Sequence, residues 1–139
     1  MQAHEELTEF QVKVKRKAQF LARVFELMPF PAKVSVLLSV TKLELYSESS
    51  LPDAWRLEKS SATGHGNLRL EAEILSQADV ETLQRKVLLQ SGLGRNLGSL
   101  DIVSAAIQLS AFDGFYEGKC LLRTTPEVLS RLEGDLIEV

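Results

Sequence analysis

Residues 7–31 read LTEFQVKVKRKAQFLARVFELMPFP, and the way this stretch folds decides the architecture. Leu7, Phe10, Val14, Lys17, Leu21, Val24 and Met28 fall at alternating steps of three and four. All but Lys17 are apolar, so the spacing predicts one helix of about three heptads with a narrow seam. Pro29 and Pro31 end it, because proline lacks an N–H and disfavours helical geometry in the residue before it. From Ala18 to Met28 the apolar face widens as Ala18, Phe20, Phe25 and Leu27 join the seam. A narrow stripe suits a partner helix, and a wide one suits docking on a sheet. The expectation is a heptad helix over residues 1–28, its first half projecting and its second half packed on a body formed by residues 32–139.

The seven seam positions are the candidate interface. Lys17 interrupts the seam. A polar residue there can fix register and oligomer state; alternatively its stem lies along the seam with the amine in water.

Beyond Pro31 the period changes to two. Val34, Val36, Leu38 and Val40 alternate with mostly polar neighbours, which predicts a half-buried strand. Near Thr41 the phase shifts, and a bulge or bend would explain Leu43 and Leu45 continuing it. Ser47 to Asp53 is a polar loop, and Trp55 and Leu57 begin an uncertain second strand. Gly64-His65-Gly66-Asn67 reads as a turn. Leu68, Leu70, Ala72 and Ile74 alternate against Arg69, Glu71 and Glu73, which predicts a strand. Ser76 and Asp79 resemble a capping box ahead of a helix whose stripe is Val80, Leu83 and Val87. Gly92 and Gly94 mark its end. Leu100, Ile102 and the run to Phe112 form one strand, Asp113-Gly114 a hairpin turn, and Phe115 to Arg123 the return strand. Thr125 caps a last helix with Pro126 in its first turn, and Val128, Leu129, Leu132 and Leu136 give its apolar face. Setting aside the piece at Trp55, the order is αββαββ plus a short C-terminal helix. That is a ferredoxin-like α+β antiparallel sheet behind an N-terminal amphipathic, coiled-coil helix.

Bulk properties narrow the function classes. The chain has 139 residues, 45% hydrophobic and 25% charged, enough for one domain with a real core. A net charge of −3 argues against a general nucleic-acid or anionic-membrane binder. The charge is uneven: residues 1–33 carry six Lys/Arg and four Asp/Glu. Lys13, Lys15, Arg16 and Lys17 lie in that stretch and read as a solvated helix face. The longest uncharged run in the body, Ile102 to Phe112, has eleven residues, too few to span a bilayer. No signal-peptide pattern opens the chain. Its start inside an amphipathic helix is what an excised fragment with an upstream anchor would show.

Candidates for chemistry are few. Cys120 is the only cysteine, so neither an intrachain disulfide nor a cysteine zinc site is expected. Its apolar surroundings predict a buried thiol. His4 and His65 are too few for a metal cluster, and His65 sits in the predicted turn. Gly92, Gly94 and Gly98 follow a helix and precede a strand, the reverse of a dinucleotide fingerprint. Ser47, Ser49, Ser50, Ser60 and Ser61 lack nucleophile-elbow framing. Glu71 and Glu73 lie on a solvated strand face. The central strands carry Leu, Ile and Ala where an RNA-recognition sheet needs aromatics. No catalytic residue, metal, cofactor or nucleic acid is expected.

A leucine-rich helix closing in Leu27-Met28-Pro29, followed by a strand-rich ferredoxin-like body, resembles the PilN family of type IV pilus assembly. It is also similar to the GspL and PilO/GspM proteins of type II secretion. The matching stretches are Phe20 to Val40, Leu68 to Gly92 and Leu100 to Arg123. The resemblance implies a periplasmic domain of an inner-membrane scaffold with no active site. It would pair as a homodimer, or as a heterodimer with a like-folded protein. Two things depart from the family: the cytoplasmic tail and membrane helix are absent, and residues 47–66 are longer than its pattern needs. The rival is a cytoplasmic ligand-sensing or regulatory ferredoxin-like domain that dimerises through its sheet, with the glycines at 92–98 lining the ligand site. A small dimeric enzyme of this fold is a third class.

Overall fold

A computed structural model describes residues 7–39, 52, 54–60, 67–85, 97–112 and 119–138. Among the described residues eight strands and three helices follow one another: β1 (Thr8–Val14), α1 (Lys17–Leu27), β2 (Ala32–Ser39), β3 (Arg56–Ser60), β4 (Asn67–Ile74), α2 (Gln77–Leu83), β5 (Leu97–Val103), β6 (Ile107–Phe112), β7 (Lys119–Thr124), α3 (Pro126–Leu132) and β8 (Leu136–Glu138). A 3-10 turn, Glu133–Asp135, joins α3 to β8.

The expected 1–28 helix is not formed. Residues 8–14 are a strand, and the helix begins only at Lys17. Phe10, Val12 and Val14 alternate with Glu9, Gln11 and Lys13, and they turn the same way as the core: Val12 and Val14 are buried and Phe10 packs against them. β-Branched valines at two of three inward positions favour the pleated surface. Among the described residues no coiled coil projects, because β1 is held between β7 and β8.

All strands belong to one antiparallel sheet in the order β3-β4-β2-β5-β6-β7-β1-β8. Register alignment places one apolar row across six of them: Ala72, Val34, Ile102, Leu109, Leu122 and Phe10. Helices seal that side. Phe20, Leu21, Val24 and Phe25 of α1, Val80 and Leu83 of α2, and Leu129 and Leu132 of α3 join the same core cluster. α1 packs on α3 and α2 on β4. Two connections are split crossovers: β4-α2-β5 straddles β2, and β7-α3-β8 straddles β1. The link β1-α1-β2 passes over β7, β6 and β5.

The run from Leu100 to Phe112 is two strands, not one. Ser104 turns the chain: its N–H and its hydroxyl both donate to the Ile107 carbonyl at 2.9 Å, and Thr124 Oγ1 donates to the Ala106 carbonyl at 2.7 Å. The strands at Ala32–Ser39 and Asn67–Ile74 fall where periodicity puts them, and the segment set aside after Trp55 is a strand as well, Arg56–Ser60, so the sheet has more strands than the αββαββ order allows. Thr125 caps α3 through Val128 N–H, with Pro126 opening the helix. At α2 the cap is half made. Asp79 accepts from Leu75 N–H at 2.9 Å, while the Ser76 side chain makes no cap bond. Val40 to Leu45, the turn at 64–66, Val87, Gly92, Gly94 and Asp113-Gly114 lie outside the described residues.

Candidate functional site

Because successive side chains of a strand point to opposite faces, sealing one face leaves the other open. The row that faces away from the helices is Arg56, Glu71, Ser35, Asp101, Ser110, Leu121 and Gln11. It is polar at six of seven positions, where the row beneath it is apolar throughout. At the β3 end this face dips into an open groove of about 530 Å³, floored by β2, β4 and β5. Lys33, Arg56, Glu71, Glu73 and Asp101 supply its charges, and Val103 its apolar lip.

Two anchors shape the groove. Trp55 is buried, and its indole N–H donates to the Glu73 carbonyl at 3.1 Å, fixing the segment that leads into β3. Ser110 donates to Asp101 Oδ1 at 2.9 Å, orienting that carboxylate from the next strand. Among the described residues none of Lys33, Arg56, Glu58, Arg69, Glu71 or Glu73 makes an ion pair. Among the described residues the face thus presents charges of both signs without ion-pair partners. Pockets for compact ligands are lined mostly by apolar side chains, whereas half of the residues lining this groove are charged.

The seven seam residues do not assemble into an outward surface. Leu7 precedes β1 and is half-buried, as is Phe10. Val14, Leu21, Val24 and Met28 are at most 5% exposed, inside the core. Such side chains have no area left for a partner, which corrects the interface assignment at these four positions. Lys17 opens α1, half-buried.

Cys120 sits on β7 facing the core, and burial pushes its thiol up to about 12, so it is not a thiolate at neutral pH. Gly98 sits where the β2–β5 register slips; a Cβ there would meet the Leu37 carbonyl oxygen at 3.1 Å, so the glycine is explained by close strand approach. His4, His65, Gly92 and Gly94 lie outside the described residues. Among the described residues no group of three His, Cys, Asp or Glu is placed to hold a metal, and no helix is long and apolar enough to cross a membrane.

Lys33, Arg56 and Asp101 belong to no motif in the sequence. Their signal was the outward phase of alternating strands, which marks solvent exposure but not which exposed residues converge. No protein-family model matches the chain, and neither a curated protein nor a solved structure does.

Proposed function

We propose that the chain is a structural scaffold that works by pairing with a homologous or like-folded chain, without catalysis. The observation that carries this is the asymmetry of the sheet: helices seal one face, while the other is an open lattice of charges that make no ion pair among the described residues. A sheet built this way offers its own regular geometry to a partner. In its finer form the proposal includes a kinship of fold. The split crossovers β4-α2-β5 and β7-α3-β8 are the unit from which ferredoxin-like sheets are made. A PilN-like or GspL-like platform component, anchored upstream and facing the periplasm, is the assembly to which such a domain would belong.

The test is native mass spectrometry of the chain isolated from its own host. The expected masses are sums of polypeptides, from two copies or from this chain and a like-sized partner. A monomer carrying a stoichiometric small-molecule adduct would reject the scaffold. It would favour instead a ligand-sensing domain, for which the charged groove is the supporting feature. Membrane fractionation of the same cells checks the placement, with recovery in a soluble cytoplasmic fraction as the contrary result.

A further inference from the structure

We infer that the partner is a second copy of this chain, joined edge to edge through β3; the inference rests on the scaffold proposed above. β3 closes one end of the sheet, and among the described residues no strand is hydrogen-bonded outside it. An edge strand offers a row of unpaired backbone donors and acceptors to any strand that fits. What selects the occupant is the charge pattern. Arg56 and Glu58 are both exposed on the open face, as are their neighbours Glu71 and Arg69 on β4.

Consider two copies of β3 laid antiparallel about a two-fold axis at Leu57. Arg56 of each copy then lies opposite Glu58 of the other. Across the seam the face reads Arg69, Glu58, then Arg56 and Glu71 of the second copy, with alternating sign throughout. Shifting the register by two residues one way sets Arg56 against Arg56, and the other way sets Glu58 against Glu58. A one-residue slip places the open face of one copy beside the helix-covered face of the other. One register alone satisfies the charges, and it is self-complementary, as a two-fold interface must be. Five residues span only about 17 Å, so the contact belongs with small, weak interfaces.

The experiment uses two charge reversals, Arg56→Glu and Glu58→Arg, in sedimentation equilibrium over a wide concentration range. The wild-type chain is expected to dimerise, less tightly at high salt. Each variant alone turns both cross-seam pairs repulsive and is expected to weaken the dimer roughly tenfold or more. Mixed in equal amounts the two variants regain opposite charges at every pair, and a heterodimer is expected with affinity near wild type. Circular dichroism of each variant confirms that both fold. A wild-type chain that stays monomeric overturns the pairing, while leaving a scaffold that uses a different partner. A wild-type dimer that either reversal leaves intact, or a mixture that fails to recover, overturns the β3 seam and leaves homomeric pairing standing elsewhere.

Discussion

Val24→Asp separates a core helix from a coil helix. Val24 is fully buried on α1, within the core cluster that the helices form with the sheet. The exchange forfeits about 1.5–3 kcal/mol of apolar burial. It also places a carboxyl in apolar surroundings, where ionising without a partner or holding a proton costs on the order of 2–3 kcal/mol more. The sum, about 3.5–6 kcal/mol, is a large share of the roughly 5–15 kcal/mol that typically separates folded from unfolded domains. Val24→Ala is the control, at about 2–3 kcal/mol for lost methyl burial and a small cavity. Urea denaturation can be followed by Trp55, the only tryptophan in the chain and a buried one. The pH dependence has a definite sign. A carboxyl at position 24 has a folded pKa raised above its unfolded value of about 3.9. The folded state therefore holds the proton more tightly, and the loss of stability is complete above the folded pKa and shrinks as pH falls toward about 4. A variant with the wild-type urea midpoint and a lowered association state would refute the core assignment, since an exposed coil seam behaves that way.

Trp55→Phe keeps the aromatic bulk but loses the bond to the Glu73 carbonyl; about 1 kcal/mol of stability should go, read by circular dichroism in urea. Thr124→Val preserves shape and leaves the Ala106 carbonyl without its hydroxyl donor; the expected loss is about 1–3 kcal/mol, and an unchanged urea midpoint would contradict it. The Cys120 thiol has a folded pKa near 12, against an ordinary value of 9.0. Its share of stability is therefore complete below about pH 9 and is lost as pH rises toward 12, a slope that Cys120→Ala should remove from alkaline unfolding curves.

The strands at Ala32–Ser39 and Asn67–Ile74 were legible because their alternation is clean. The segment after Trp55, set aside in the expected order, is the edge strand β3, and Leu136, assigned to the face of the last helix, lies in β8 beyond a 3-10 turn. Two further places carried an ambiguous pattern. Phe10 and Val14 satisfy both a heptad and a period of two, and only Val12, off the seam but inward on β1, separates the two patterns. Between Leu100 and Phe112 no Gly or Pro marks the turn. The trace it leaves is a change of phase: even positions face the core before Ser104, at Leu100 and Ile102, and odd ones after it, at Ile107, Leu109 and Ala111. The open face was readable residue by residue but not as a surface, because the order of strands in the sheet depends on long connections that local pattern does not encode. Arg56 and Asp101 are 45 positions apart in the chain and are brought to one groove only by the β3-β4-β2-β5 order.

The two ends of the sheet are guarded differently, and the difference bears on the self-pairing proposed at β3. β8 has three residues and leaves little length to pair, one of the ways proteins deny an edge to strangers. β3 has five, and is guarded by charge instead. A charged edge repels only strands whose charges oppose it badly. Alternating signs at 56 and 58 therefore act as a filter, rejecting apolar strands through desolvation and like-charged registers through repulsion, while accepting the same sequence run backwards about Leu57. In the accepted register two opposite-charge pairs form; in the register shifted onto Glu58 they are replaced by one like-charge pair. At about 0.2–1 kcal/mol for each such contact, the gap is roughly 0.6–3 kcal/mol, a preference of about three-fold to over a hundred-fold for the correct alignment. Arg56 and Glu58 make no ion pair among the described residues, so no ion pair of the monomer is broken when they turn to a second copy. That is the combination a reversible self-pairing edge requires.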